Sequence, residues 1–146
     1  MADVVRLPAE RRWAEELAAL AATDTAPRPP GWHLSPRAVQ TFLLGSAGRS
    51  IAWDDDGEAR ETVVQRKFYG HDVLVQRAIV SLASDRALLL IGEPGTAKSW
   101  LSEHLSAAIS GTSLHTIQGS AGVTEDQITY SWNYALLLAE GPTPRA

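Results

Sequence analysis

The segment that most constrains the fold of this chain is an apolar hexapeptide, RALLLI at 86–91, running directly into GEPGTAKS at 92–99. A short run of nearly pure hydrophobics reads as a strand buried on both faces of a parallel sheet. Gly92 ends the strand, and a helix is expected over 98–109. A second strand is expected at 113–117, after Gly111. Strand, glycine-rich turn, helix, strand is a βαβ unit, so the fold class is α/β with a parallel sheet and flanking helices.

The turn itself matches the phosphate-binding pattern G-x-x-x-x-G-K-[ST] at every defined position but one. Gly95 permits a backbone path that a side chain would obstruct, and the amides around Gly95–Lys98 can wrap a phosphate at a helix N-terminus. Lys98 supplies a point charge for β/γ oxygens, and the Ser99 hydroxyl is the candidate ligand for Mg²⁺. Ala97 stands where the pattern asks for glycine. The opposing interpretation is a surface turn with a solvated lysine. Composition speaks against it, because 11 of the 13 basic residues are arginines and the lysines are only Lys67 and Lys98. A compact ammonium is what such a loop uses, and arginine substitutes poorly for it.

The rest of the composition mainly excludes. A net charge of −4 gives no electrostatic footprint for nucleic acid or an anionic membrane surface. With no cysteine there are no disulfides, thiolate chemistry or Cys-based zinc sites. No apolar run spans a bilayer and the N-terminus is unlike a signal peptide, so the expected location is cytoplasmic. His33, His71, His104 and His115 lack metal-ligand spacing. The acidic run Asp54-Asp55-Asp56-Gly57 fails as a calcium loop because Ala52 and Val63 fall where oxygen donors are needed, so it reads as a solvated turn.

Upstream, residues 1–66 read as a partly helical N-terminal arm. A helix is expected over 8–22, with Arg11/Glu15 and Arg12/Glu16 spaced to pair. A Pro-rich linker follows at 23–31. Ser35-Pro36 then caps a helix carrying Val39, Phe42 and Leu43 and stopping at Gly45. Two short extended pieces around 50–53 and 61–65 flank an Asp56-Gly57 turn. Residues 67–146 are expected to be the opening half of an ATP-binding domain, truncated after about two core strands. Within them, 72–83 reads as a helix and Thr124–Gln127 as a capping box. Trp13 reads as docking the first helix, and Trp100 sits just inside the loop helix, near any bound nucleotide; both read as packing residues rather than ligand-stacking platforms.

GEPGTAKS, with proline before the second glycine and Ala-Lys in place of Gly-Lys, resembles the MoxR-like and dynein-related branch of the AAA+ ATPases. The lead-in over 67–99 and the segment IQGSAGVTEDQITYSWNYALLLAEGP at 117–142 are similar to that family as well. The resemblance covers about half the chain. It implies a P-loop NTPase fold, with ATP and Mg²⁺ as cofactors held by Gly92, Glu93, Pro94, Gly95, Thr96, Ala97, Lys98, Ser99 and Trp100. It makes Lys98 the catalytic residue. Tyr69, Gly70 and His71 occupy the place of the adenine-side V-x-G-Q segment, with His71 where glutamine is common. It further implies a hexameric ring that hydrolyses ATP between subunits and remodels or matures a partner, one candidate being a protein with a von Willebrand factor A domain.

Hydrolysis in this class also needs an apolar strand ending in Asp-Glu, a sensor residue and an arginine finger. The nearest imitation, Leu136–Glu140, offers one acid and reads better as helix. The expectation is therefore an N-terminal piece of a longer ATPase. Two alternatives stand beside it: a small-molecule kinase with a phosphate loop, and a nucleotide-binding or interaction module that does not hydrolyse.

Overall fold

The computed structural model describes residues 6–117 and 119–125. Two units are separated at 114/115, Met1–Leu114 and His115–Ala146. The first holds α1 (Ala9–Arg12), α2 (Ala14–Thr23), α3 (Pro36–Leu44), β1 (Ser50–Asp55), β2 (Glu58–Val63), α4 (Asp72–Ala83) and α5 (Lys98–Ser110). In the second, Val123 N–H donates to the Ser120 carbonyl (3.1 Å) and closes a turn.

Helix α3 begins and ends where its sequence dictates. The Ser35 hydroxyl accepts from Ala38 N–H (3.2 Å), Pro36 occupies the first turn, and Gly45 leaves the helix at φ 82°. That glycine is obligatory, because a Cβ there would lie 2.9 Å from Arg66 N and 3.1 Å from Val64 O. Strands β1 and β2 form an antiparallel hairpin in which Ser50 faces Val63 and Asp55 faces Glu58. Asp56 and Gly57 both take positive φ, at 52° and 93°, as a two-residue hairpin turn demands. Asp54 Oδ1 accepts from Gly57 N–H (2.8 Å), which accounts for part of the acidic run.

The first helix differs from expectation in two ways. It breaks at Trp13 (φ −117°, ψ 28°), giving α1 and α2. Its glutamates also do not pair with the arginines four residues earlier. Glu16 instead turns inward to Lys67, and Glu15 accepts from the Thr62 hydroxyl (3.0 Å). A carboxylate inside the fold gains more from a buried partner than from a solvated i, i+4 pair.

The core gathers Leu17 and Leu20 of α2, Val39, Phe42 and Leu43 of α3, Val75 and Ile79 of α4, and Leu101 and Leu105 of α5. The N-terminal segment thus shares a hydrophobic core with the helices on either side of the phosphate-type loop.

The expected parallel sheet is not formed among the described residues, where the sheet present is the β1–β2 hairpin. Residues 86–91 alternate as a strand does: Leu88 and Leu90 pack against the core, while Leu89 and Ile91 are 81% and 86% exposed. They join no ladder, and neither do 113–117. A parallel strand acquires hydrogen bonds only from neighbours that crossover connections bring alongside it, so propensity alone cannot produce the ladder. The capping box beyond Glu125 and the Leu136–Glu140 segment lie outside the described residues.

Candidate functional site

The loop of interest lies between 86–91 and α5. Gly95 takes φ 82°. Ala97, the departure from the glycine pattern, adopts a left-handed conformation (φ 59°, ψ 23°) as the residue before α5. Left-handed backbone is what a glycine would supply without strain, so alanine here retains the loop geometry at an energetic cost. At Gly92 a Cβ would lie 3.2 Å from Thr96 Oγ1, a tight approach to the side chain that closes the turn.

The side chains close over this path. Thr96 donates to the Glu93 carbonyl (2.8 Å). The Lys98 ammonium folds back onto the loop, donating to Gly92 O (2.9 Å), Glu93 O (2.5 Å) and Thr96 Oγ1 (3.0 Å). A positive charge is therefore held over the concave side of the backbone turn. The first intrahelical bond of α5 runs from Leu101 N–H to Ala97 O (2.9 Å), and no side chain caps the helix. The amides of Lys98, Ser99 and Trp100 thus have no intrahelical acceptor and sit at the positive end of the helix dipole. Ser99 is exposed in the same turn. Lysine charge, unsatisfied amides and a left-handed nest form a donor set for phosphate oxygens. A polyphosphate group such as that of a nucleotide matches this donor set in charge and hydrogen-bonding type, and the Ser99 hydroxyl is an oxygen of the kind Mg²⁺ takes.

The three upstream residues are placed differently. Tyr69 is 79% exposed, with the Arg66 guanidinium 5.8 Å from its ring centroid. Gly70 takes φ 150° against the Phe68 ring. His71 precedes α4 and lines a groove of about 530 Å³ whose walls include Val73, Leu74, Leu89 and Ile91. Arg66 braces this bend by donating to Phe68 O (2.9 Å) and pairing with Asp72. A direct link to the loop helix comes from Trp100, whose indole N–H donates to Lys67 O (2.8 Å). Trp100 is thereby committed to the protein, with its ring 4.2 Å from that of His104 and 4.6 Å from the Arg6 guanidinium.

Behind Trp100 lies a polar cluster that the sequence pattern did not announce. The Lys67 side chain is fully buried, pairs with Glu16 and donates to Gln65 O (2.9 Å). Its ammonium lies 4.5 Å from the Trp13 ring centroid and 4.2 Å from that of Phe42. Burial pushes its pKa down, opposed by the hydrogen bond and charge of Glu16. His104, fully buried, accepts from the Trp13 indole N–H at Nε2 (3.1 Å) and faces Trp100 O through Nδ1 (2.8 Å). An indole only donates and a carbonyl only accepts, so the ring is neutral with its proton on Nδ1. Burial lowers its pKa more than the Trp100 carbonyl and Glu103 raise it, and Lys67 and Arg6 add to the lowering. The spacing of His104 with Leu101, Leu105 and Ala108 on one helical face was the available signal.

Residues 87–144 match the family described as AAA domain (dynein-related subfamily). That match supports an AAA+ ATPase, a class with a P-loop NTPase fold that binds nucleotide and hydrolyses ATP. The chain is 48% identical over 141 residues to "Uncharacterized protein YehL" of Escherichia coli (strain K12). The alignment covers 97% of this chain and 35% of the relative, so the chain spans about a third of that protein's length. No solved structure matches it. Among the described residues, no helix is long and apolar enough to cross a membrane, and no group of three or more metal-ligating side chains occurs.

Proposed function

We propose that residues 92–99 bind the phosphates of ATP and that the chain is the N-terminal part of a MoxR-like AAA+ ATPase. In that reading the protein assembles as a ring, usually a hexamer, and couples ATP hydrolysis to remodelling or maturation of a partner protein. A protein with a von Willebrand factor A domain is the partner class that the resemblance favours. The carrying observation is the Lys98 ammonium held over Gly92 O and Glu93 O beside the uncapped start of α5.

Lys98 would exchange its carbonyl acceptors for β/γ phosphate oxygens, a gain because the acceptors then carry formal charge. The amides of Lys98 and Ser99 would complete the anion cradle, and the Ser99 hydroxyl would ligate Mg²⁺. When bound, Mg²⁺ supplies charge neutralisation to the phosphate oxygens. Tyr69, Gly70 and His71 would border the base. The family match at 87–144 extends well past the loop, which favours this reading over a small-molecule kinase. The test is ATP binding and ATP turnover by the intact protein and its Lys98→Ala form, measured separately. Loss of both in the variant supports the assignment, and unchanged binding contradicts it.

A further inference from the structure

We propose that residues 6–24 form a latch that sets the position of the phosphate loop's helix, with Trp13 and His104 as its positioning residues. The proposal rests on the nucleotide reading above and adds a role for a segment outside the matched region. Three contacts fasten the latch to α5. Trp13 donates to His104 Nε2 (3.1 Å), Arg6 pairs with Glu103 (2.6 Å), and Ala9 N–H donates to Glu103 Oε1 (3.1 Å). His104 in turn holds the carbonyl of Trp100, the residue after Ser99. Trp100 fastens the same turn to Lys67, two residues before Tyr69.

The latch therefore reaches both sides of the candidate nucleotide site through the half-buried Trp13 and Trp100 and the buried Glu16, Lys67 and His104. Glu16 of α2 accepts from Lys67 Nζ and from Gln65 N–H (3.3 Å), which anchors the adenine-side segment. His104 of α5 anchors the phosphate-side helix. Displacing α1 and α2 would free both anchors at once, so the relative placement of Tyr69–His71 and Lys98–Ser99 depends on residues 6–24. Placement errors of about 1 Å in such a site are large in effect.

The geometry also sets a proton dependence. The charged groups around His104 are Arg6 and Arg12 from the N-terminal segment, Glu16 from α2, Lys67 from the segment before α4, and Glu103 beside it. A proton on Nε2 would face the Trp13 N–H directly, two donors with no acceptor between them. The latched form requires neutral His104, whose pKa burial holds below the ordinary imidazole value of about 6.5, so the latch weakens progressively as pH falls below that value and is lost as pH falls through the lowered one.

The experiment measures ATP affinity of the intact protein by competition against a fluorescent ATP analogue, at about pH 8 and about pH 5.5. Trp13→Phe keeps an aromatic ring at this position but removes the indole N–H together with the pyrrole half of the ring system. It should weaken ATP binding about three- to tenfold at the higher pH, the range one hydrogen bond supports. His104→Gln cannot titrate in this range and should lose less affinity on acidification than wild type does. Protonation of ATP itself affects all forms alike, so the comparison with wild type isolates the latch. Equal affinity in Trp13→Phe and wild type, or identical acid losses in wild type and His104→Gln, would overturn the proposal. Lys98→Ala is the separating control. If it abolishes binding while Trp13→Phe changes nothing, only the latch fails; if it binds like wild type, the nucleotide reading fails and the latch with it.

Discussion

The Glu16 carboxylate and the Lys67 ammonium meet inside the fold, the lysine side chain 0% and the glutamate 9% exposed. They join α2 to the segment that leads into α4, within a box closed by the rings of Trp13 and Phe42.

Removing one member of such a pair strands the other charge in a low dielectric. Lys67→Met should cost about 3–5 kcal/mol of stability in chemical denaturation, whereas the Lys67→Met/Glu16→Leu double variant should cost much less than the sum of the singles. Additive losses would show that the pair is not coupled.

Gly45 ends α3 where a Cβ would strike backbone atoms of Val64 and Arg66 that no rotamer change can move. Gly45→Ala should destabilise by about 1–3 kcal/mol from positive φ alone, and by more through the contact. Gly57→Ala, also at positive φ but with nothing within 4 Å, supplies the comparison and should cost less. Equal losses would exclude the steric contribution.

Ala97 occupies left-handed backbone at the head of α5. Ala97→Gly should raise stability by about 1 kcal/mol while preserving phosphate affinity, and Ala97→Val should lower both. Calorimetry and nucleotide titration check the two together.

Burial alone would raise the Asp24 carboxyl. Hydrogen bonds from the Ser35 hydroxyl (2.6 Å) and amide (2.7 Å), with help from Ala26 and Arg28, bring it below the ordinary carboxylate range. A carboxyl whose pKa is depressed by folding contributes stability that is complete above the unfolded value, about 4, and lost as pH falls through the folded one. Stability should therefore drop below about pH 4, and Asp24→Asn should drop less over that interval. Parallel acid profiles would contradict this role for Asp24.

Local rules and long-range rules separate cleanly in this chain. The ends of α3, the Asp56-Gly57 turn and the extent of α4 were legible because caps, turn glycines and helical periodicity act within a few residues. The course of the loop from Gly92 into α5 was legible for the same reason, since Gly95 and the residue before Lys98 carry local backbone requirements. Glu16 turning to Lys67 and Trp13 reaching His104 were not, because those partners are 51 and 91 residues apart. Residues 86–91 lack both the ladder and the two-sided burial expected of them, Leu89 and Ile91 being exposed, since pairing and cover depend on neighbours that composition cannot supply. That Trp100 packs was legible from its place in α5, but its partner Lys67 O is a contact that no spacing rule reveals.

The central claim is that Lys98 and the start of α5 form a phosphate site. Its most direct test is isothermal titration of ATP·Mg into the intact protein and its Lys98→Ala form, with circular dichroism showing both folded. Saturable binding by the wild type is expected, with a loss of at least about a hundredfold in the variant, since a charge-assisted contact to phosphate is removed. Equal affinity in the two proteins would contradict it.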